Sequence, residues 1–206
     1  MAGPAGALHG RPWPSQPAAA IWFLEVEGAA LVLGSTQAEA VVVPDPSLEV
    51  VRRHSGGGAV LLRPGKVLWV DVVVPADDPL WLPDVGRAFW WLGQTWVAAL
   101  AAVGVDARWH DGPLVRSRLS AQVCFAGLGP GEVTVGGRKV VGMSSRRRRD
   151  GALFQCAALL DWDPAELVAV LGLDSEALAE LTDAAAGLAV PAPLLQQAFL
   201  EALAAR

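Results

Sequence analysis

Short apolar runs separated by turn residues dominate the first two thirds of the chain, and this pattern predicts strands. Between Phe89 and Val103 the apolar residues recur at helical spacing instead, which predicts a core helix over residues 86–103 that packs against a sheet. The runs predicted as strands are residues 21–26, 30–34, 48–51, 59–62, 67–74, 133–135, 139–141 and 152–160.

The last quarter of the chain changes to a helical pattern. Asp163-Pro164-Ala165-Glu166 is typical of a helix start, with an acidic N-cap, a proline at the first helical position and a glutamate placed to reach back. Leucines and alanines then mark a second helix near residues 178–188 and a third near 194–203.

These elements predict the α+β class: a single domain with a mixed, mostly antiparallel sheet flanked by helices and a helical C-terminus. Residues 1–18, rich in proline, glycine and alanine, are expected to form a flexible N-terminal arm. The domain then spans residues 19–206, with the C-terminal helices of residues 164–206 packed on it.

Composition excludes several classes of protein. Apolar residues make up 53% and charged residues 18% of the chain, which excludes a disordered protein. Two cysteines cannot form a disulfide framework, and three histidines without paired spacing predict no metal site. Neither a signal-peptide pattern nor a membrane span is present, so we expect a cytoplasmic protein without a membrane partner.

The positive charge of the chain lies in its middle. Residues 52–149 hold fourteen basic and seven acidic groups, whereas both flanking segments are acidic. Such a segment attracts phosphate, carboxylate or an acidic protein surface. The run Arg146-Arg147-Arg148-Arg149 is typical of a solvated face or mobile loop, or guides an acidic partner. Without aromatic interleaving or a recognition fold, it does not predict nucleic-acid binding.

A turn with three consecutive glycines follows a pair of arginines. Glycines permit positive φ and close approach of another molecule, and their N–H groups can form an anion-binding nest. The two guanidinium groups add fixed charge suited to a carboxylate or phosphate; a flexible surface turn is the alternative. The candidate binding residues are Arg52, Arg53, His54, Ser55, Gly56, Gly57, Gly58, Ala59 and Val60.

A second candidate group surrounds Lys139, which follows the hairpin turn Gly136-Gly137 and begins an apolar strand. Burying a lysine is costly unless it meets an anion, so Lys139 is a candidate for polarising an acyl carbonyl or neutralising a phosphate. A solvated hairpin lysine is the alternative. Cys124 is either a small buried hydrophobe or, beside positive groups, a nucleophile. Cys156 lies inside an apolar run and is expected to be structural.

Three blocks resemble the lipoate–protein ligase A family, within the superfamily of biotin and lipoate protein ligases. Residues 52–60 resemble its RRxxGGGAV signature, residues 31–37 its first strand, and residues 137–142 its second signature with an essential lysine. The resemblance implies that family's catalytic fold and attachment of a lipoyl or octanoyl group to a lysine of an acceptor domain. It implies Lys139 as the catalytic residue, with the glycine-rich loop and Gly142 binding the acyl substrate.

The resemblance leaves two branches open. The ligase branch activates lipoate or octanoate with ATP and Mg²⁺, but residues 62–66 and Gly131-Glu132 depart from the ligase pattern. Octanoyl and lipoyl transferases need no ATP and pass the acyl group through a cysteine thioester, and Cys124, 15 residues before Lys139, matches that cysteine. The acceptor domains of this pathway are typically acidic, which fits the basic middle segment. A non-catalytic relative that binds an acyl ligand or a partner domain is a further alternative.

Overall fold

The computed structural model describes residues 1–14, 17–38 and 42–206. In these residues a seven-stranded sheet has the order β1-β2-β6-β10-β9-β8-β7, and a three-stranded sheet has the order β4-β3-β5. Only the β1–β2 and β3–β4 pairs of the described strands are parallel. The predicted mixed, mostly antiparallel α+β fold is therefore confirmed.

The strands are β1 (Ala2–Gly3), β2 (Ala20–Val26), β3 (Ala30–Leu33), β4 (Glu49–Arg52), β5 (Val60–Leu62), β6 (Val67–Pro75), β7 (Arg108–Trp109), β8 (Val133–Val135), β9 (Arg138–Arg148) and β10 (Gly151–Leu159). The helices are α1 (Ala5–His9), α2 (Trp90–Ala102), α3 (Pro164–Val170), α4 (Ser175–Ala184) and α5 (Ala192–Ala204). None of the described helices has the length and apolar content needed to cross a membrane.

Helices α2 and α5 cover one face of the large sheet. Trp96, Leu92 and Leu100 of α2 are fully buried, and the Trp96 ring packs against Phe199 of α5 with 4.5 Å between ring centroids. Burying each such side chain contributes about 1.5–3 kcal/mol. Helix α2 begins at Trp90 rather than at residue 86. The Asp84 carboxylate accepts hydrogen bonds from the amides of Gly86 and Arg87, and these bonds hold a turn before the helix.

The C-terminal helices follow the predicted order, with two local corrections. Asp163 caps α3 as expected, but Glu166 does not reach back and instead forms an ion pair with Arg63. Helix α4 ends at Ala184, so the second helix is shorter than the leucine and alanine pattern predicted. Ala185 continues as extended chain and forms a parallel bridge with Lys139, which brings this segment to the candidate site.

The first ten residues differ from the expectation of a loose arm. Strand β1 pairs with β2, and helix α1 buries Ala5 and Leu8 in a cluster with Trp69. The Arg11 guanidinium forms a 2.5 Å ion pair with Asp71, which is fully buried in β6. These contacts attach residues 1–11 to the sheet. Residues 15 and 16 of the expected arm lie outside the described residues.

Strand β9 is longer than the predicted run over residues 139–141. The turn at Gly136 and Gly137 has positive φ angles of 57° and 83°, as the predicted hairpin requires. Beyond it, β9 stays paired with β10 as far as Arg148, opposite Gly151. The arginine run, expected as a solvated face, a mobile loop or a guide for an acidic partner, therefore continues strand β9 as far as Arg148, and Arg148 and Arg149 are exposed.

The half-buried His9 of α1 and the buried Asp71 of β6 are expected to offset each other in the pH dependence of stability. Burial and the positive Arg53 and Arg11 lower the pKa of His9 from 6.5 to about 4, whereas burial raises the pKa of Asp71 from 3.8 to about 6. Between pH 4 and 6 the folded chain holds a proton on Asp71 and the unfolded chain holds one on His9. Both states bind the same number of protons, so these two groups leave the free energy of unfolding nearly flat.

We expect Asp71→Asn to expose the contribution of His9. Since the pKa of His9 is lowered in the folded protein, stability is lost as the pH falls from 6.5 to 4, by up to about 3 kcal/mol. His9→Gln should show the opposite slope between pH 6 and 4, because Asp71 alone then takes up a proton on folding. Urea unfolding at a series of pH values measures both slopes. Wild-type profiles in both variants would contradict this balance.

Candidate functional site

The two glycine-rich motifs meet at one open cavity of about 450 Å³. The glycine-rich loop forms one wall, and Lys139 with the Cys124 segment forms another. The described residues that line the cavity are Thr36, Gly56, Gly57, Gly58, Leu114, Arg116, Ser120, Ala121, Cys124, Gly127, Gly129, Glu132, Lys139 and Met143. Gly57 and Lys139, which are far apart in the sequence, therefore share the cavity that both motifs predicted.

A mostly apolar pocket of about 90 Å³ adjoins this cavity, and Gly56, Cys124 and Met143 line both. The other residues of the pocket are His9, Val32, Arg53, Val60, Leu62, Trp69, Phe125, Gly142, Ser144, Gln155, Cys156 and Ala157. Cys124 thus lies at the junction between an apolar pocket and an open, more polar cavity. This arrangement suits a reaction at the head of an apolar chain.

Lys139 is 3% exposed and is held by three partners. Its ammonium donates to the carbonyl oxygens of Cys124 and Gly127, each at 3.0 Å, and lies 2.7 Å from Glu132 Oε2. An ammonium has three N–H donors, so all of them are engaged. The Nζ atom also lies 4.9 Å from the centre of the Phe125 ring. Lys139 therefore presents a fixed positive charge beside the Cys124 backbone.

Glu132 is the anion that this buried lysine requires, and the sequence reasoning did not select it. Its side chain is buried: Oε1 accepts from the Met143 amide at 3.0 Å, and Oε2 accepts from the Gly129 amide at 2.6 Å. The sequence does hold a signal for Glu132. This residue directly precedes β8, and β8 pairs with the strand that carries Lys139. A lysine predicted in a buried strand calls for a carboxylate on the neighbouring strand.

Arg53 binds its own loop rather than an open site. The guanidinium is buried and donates to the carbonyl oxygens of Gly56 and Gly58, each at 2.8 Å, and to that of Val32 at 3.3 Å. Its Nε donates to Ser55 Oγ at 3.0 Å. These donors shape the glycine-rich loop, and because Arg53 also lines the apolar pocket, its role in substrate binding stays a prediction.

Arg52 and His54 line neither the open cavity nor the apolar pocket, and their predicted roles in binding stay untested. Arg52 donates to the carbonyl oxygens of Gly34 and Gln37 at 3.0 and 2.6 Å, so it ties the loop to the end of β3. His54 is exposed and lines a separate cavity of about 20 Å³ that Lys139 does not reach. Of this segment's basic side chains, Arg53 alone lines the apolar pocket, and Arg52 supports the loop from outside it.

The glycine-rich loop is seated directly on the Cys124 segment. Ala59 donates its amide to Gln122 at 2.8 Å, and Cys124 donates its amide to the Ala59 carbonyl at 3.0 Å. A Cβ atom on Gly58 would lie 2.4 Å from backbone atoms of Val123, so only glycine fits there. Gly57 has a positive φ of 95°. The amides of Gly57 and Gly58 donate to no other residue in the described parts of the chain.

The apolar pocket contains the remaining candidates. Val60 and Gly142 line it, and a Cβ on Gly142 would come within 3.1 Å of the Phe125 ring and 3.3 Å of Lys139 Cε. Cys156 also lines the pocket, and burial raises the pKa of its thiol to about 12, so it stays protonated at neutral pH. Of the two cysteines, the half-buried Cys124 is the one next to the cation.

Among its described lining residues the cavity offers one carboxylate to a magnesium–nucleotide site. Glu132 is the carboxylate among the lining residues, and its two oxygens already accept from two amides and Lys139. Mg²⁺ in nucleotide sites is usually held by one or two carboxylates together with phosphates. Searched across residues 1–14, 17–38 and 42–206, the chain shows no cluster of three histidine, cysteine or carboxylate side chains placed to hold a metal.

Comparison with known proteins places these features in a family. The family model described as the lipoyl protein ligase A/B catalytic domain matches residues 13–189. The octanoyltransferase LipM of Moorella thermoacetica is 32% identical over 138 residues, covering 66% of this chain and 50% of that protein. The octanoyltransferase LipM of Kyrpidia tusciae is 32% identical over 130 residues, covering 61% and 47%. The chain thus spans about half the length of these curated relatives.

Solved structures share the fold at lower sequence identity. A lipoate-protein ligase A bound with ATP superposes with a TM-score of 0.69 at 22% identity, covering 90% of this chain and 71% of that one. A bipartite lipoate protein ligase from Thermoplasma acidophilum, studied with its E2 lipoyl domain, superposes with a TM-score of 0.71 at 20% identity, covering 92% and 72%. These likenesses concern the fold.

Proposed function

The chain belongs to the lipoyl protein ligase A/B catalytic-domain family, and from this premise we propose that it transfers a medium-chain acyl group, octanoyl or lipoyl, to a lysine of an acceptor domain through a thioester on Cys124. The observation that carries the proposal is the position of Cys124. It lines both the apolar pocket and the open cavity, and the buried Lys139 ammonium binds its backbone.

In the first step the Cys124 thiolate attacks the carbonyl carbon of an acyl thioester donor. A new C–S bond forms, the bond to the donor sulfur breaks, and the donor leaves as a thiol after taking up the proton that Cys124 released. The acyl chain enters the apolar pocket, where each buried methylene contributes about 0.8 kcal/mol. Cys124 then holds the chain with its carbonyl at the junction of the pocket and the cavity.

In the second step the neutral amine of the acceptor lysine enters from the open cavity and attacks the same carbonyl. A C–N bond forms, the bond to Cys124 breaks, and the departing thiolate takes up the proton lost by the amine. Both steps place negative charge on the carbonyl oxygen. Lys139 stabilises that charge through its field, since its three donors are engaged. The free amides of Gly57 and Gly58 are the proposed donors to the oxyanion.

The same residues favour the transferase branch over the ligase branch. A ligase must hold ATP and Mg²⁺ at the cavity, but Glu132, the carboxylate among its described lining residues, already accepts from two amides and Lys139. The curated relatives named octanoyltransferases support the same choice. Cytoplasmic thiols are kept reduced, so the proposal expects the reaction in the cytoplasm.

The proposed acceptor is an acidic domain of the lipoyl type. The cavity that the acceptor lysine must enter is lined by the exposed Arg116, and further basic residues lie at 146–149 along β9 and its end. Opposite charges on the two proteins would steer the acceptor toward the site. The structural neighbour from Thermoplasma acidophilum, described together with a lipoyl domain, supports this class of partner.

We expect the protein to gain one octanoyl group on Cys124 when it is mixed with an octanoyl-loaded carrier protein without ATP. Intact-mass and peptide mass spectrometry detect the adduct, and hydroxylamine releases it as expected for a thioester. Cys124→Ala should prevent the adduct. Cys156→Ala, the matched control, should retain it because the protonated Cys156 thiol is not the nucleophile.

Two other results would contradict the proposed route. Formation of an octanoyl-adenylate from octanoate and ATP, with no adduct on Cys124, would assign the chain to the ligase branch. Binding of octanoate that raises the melting temperature, with no transfer from either donor, would indicate a non-catalytic relative.

A further inference from the structure

The far end of the apolar pocket is closed by a residue from the N-terminal helix. The pocket is separated from a smaller cavity of about 20 Å³, and His9 and Gln155 line both spaces. The imidazole of His9 stacks on Trp69, with 4.4 Å between ring centroids and 37° between ring planes. His9 is thus part of the wall between the apolar pocket and the second cavity.

The strand register places this wall opposite the reacting end of the pocket. Gly142 on β9 pairs with Ala157 on β10, and Ala157 pairs with Trp69 on β6. Neighbouring strands lie about 4.8 Å apart, so the pocket crosses about 10 Å of sheet from the strand of Lys139 to Trp69. An acyl chain attached at Cys124 and lying across these strands therefore ends against Trp69 and His9.

The wall is anchored on both sides of His9. The amides at the start of α1 donate to the Glu49 carboxylate, Ala5 at 2.9 Å and Gly6 at 3.0 Å. After the helix, Arg11 forms its ion pair with the buried Asp71. Burial lowers the pKa of His9 to about 4, so the ring that faces the apolar pocket is uncharged at neutral pH.

We propose that His9 limits the length of the acyl chain that the pocket accepts, and this rests on the proposed acyl transfer through Cys124. The second cavity lies directly behind the ring. Removing the imidazole joins the two spaces, so that a chain longer than octanoyl gains room to continue. Because the His9 ring packs against Trp69, the size of the ring, rather than its protonation, determines which chain length the pocket accepts.

The test is a series of His9 variants assayed with hexanoyl, octanoyl, decanoyl and dodecanoyl donors. His9→Ala should raise the ratio of kcat/KM for dodecanoyl over octanoyl donors by about tenfold or more. His9→Phe keeps a flat ring in the wall and should retain the wild-type preference. His9→Trp fills more of the pocket and should shift the preference toward hexanoyl donors. This third variant keeps the proposal testable if His9→Ala does not fold.

Binding of the free fatty acids, followed as a rise in melting temperature, gives a readout that does not depend on turnover. If the wild-type chain transfers no acyl group but His9→Ala shifts the preferred length of bound fatty acid, the proposed transfer is wrong and the role of His9 stands. If transfer occurs and folded His9→Ala and His9→Trp keep the wild-type length profile, the role of His9 is overturned. Failure of every fatty acid to bind, together with no transfer from any acyl thioester donor, would overturn both proposals.

Discussion

Lys139→Ala is expected to slow acyl transfer to the acceptor by about a hundred- to a thousandfold, the effect of removing one preorganised electrostatic group from an acyl-transfer site. The ammonium is 3% exposed and lies 3.0 Å from the Cys124 carbonyl oxygen, so its charge acts through little intervening water. Single-turnover transfer from octanoyl-Cys124 to an acceptor domain measures the effect on the second step alone.

Loss of folding would imitate this result, so the experiment needs a matched variant. Lys139→Ala leaves the Glu132 carboxylate buried without its cation, which typically costs 3–5 kcal/mol. The double variant Lys139→Met with Glu132→Gln removes both charges and should regain much of that stability, as urea unfolding would show. We expect it to be folded and still inactive. A folded double variant with wild-type transfer rates would contradict the role of Lys139.

The single variant Glu132→Gln tests whether Glu132 acts by positioning the Lys139 ammonium. The single variant keeps the ammonium and its bonds to the carbonyls of Cys124 and Gly127. We therefore expect a smaller loss of transfer than for Lys139→Ala, with the rate returning toward wild type in Glu132→Asp if the carboxylate mainly positions the lysine. Because Glu132 and Lys139 contact each other, the effects of the two single variants do not add. A double-mutant cycle measures the interaction energy between the two side chains.

The parts of the fold that sequence alone predicted are those that local chemistry decides. Turn glycines with positive φ at residues 136 and 137, strands formed by short apolar runs and the capped start of α3 each depend on residues close together in the chain. The burial of Lys139 was only partly accessible: the apolar residues Val140 and Val141 that follow it favour burial, whereas the hairpin turn and Arg138 before it are equally typical of a solvated lysine.

The features that sequence reasoning missed depend on partners far along the chain. Helix α1 is ordered by packing on β4 and Trp69, because a helix of five residues that includes a glycine is too short to be stable by itself. The arginine run continues β9 because β10 returns beside it. The guanidinium of Arg53 binds carbonyls of its own loop. A motif of charged residues and glycines does not show which side chains stabilise the loop and which contact a ligand.

Gly58→Ala is expected to damage both stability and transfer, because the loop backbone rests on the Cys124 segment at this residue. The new Cβ would lie 2.4 Å from the amide nitrogen and carbonyl carbon of Val123 and 2.7 Å from the Cys124 amide nitrogen. Backbone atoms cannot move aside as a flexible side chain can, so the loop must lift. Forcing atoms into a packed site costs typically 1–3 kcal/mol, and misplacing reacting groups by about 1 Å costs about a hundredfold in rate.

Two matched glycine variants distinguish this clash from a general effect of adding a methyl group. Gly28→Ala lies in a turn outside the cavity with open space around its Cβ and should keep wild-type stability within about 0.5 kcal/mol and wild-type transfer. Gly56→Ala, in the same loop as Gly58, also meets open space and should keep its unfolding free energy. If Gly58→Ala matched Gly28→Ala in both urea unfolding and transfer rate, close contact between the loop backbone and Val123 would not be needed.

The inference that the glycine-rich loop positions Cys124 would then be wrong, because the hydrogen bonds of Ala59 with Gln122 and Cys124 depend on that close contact.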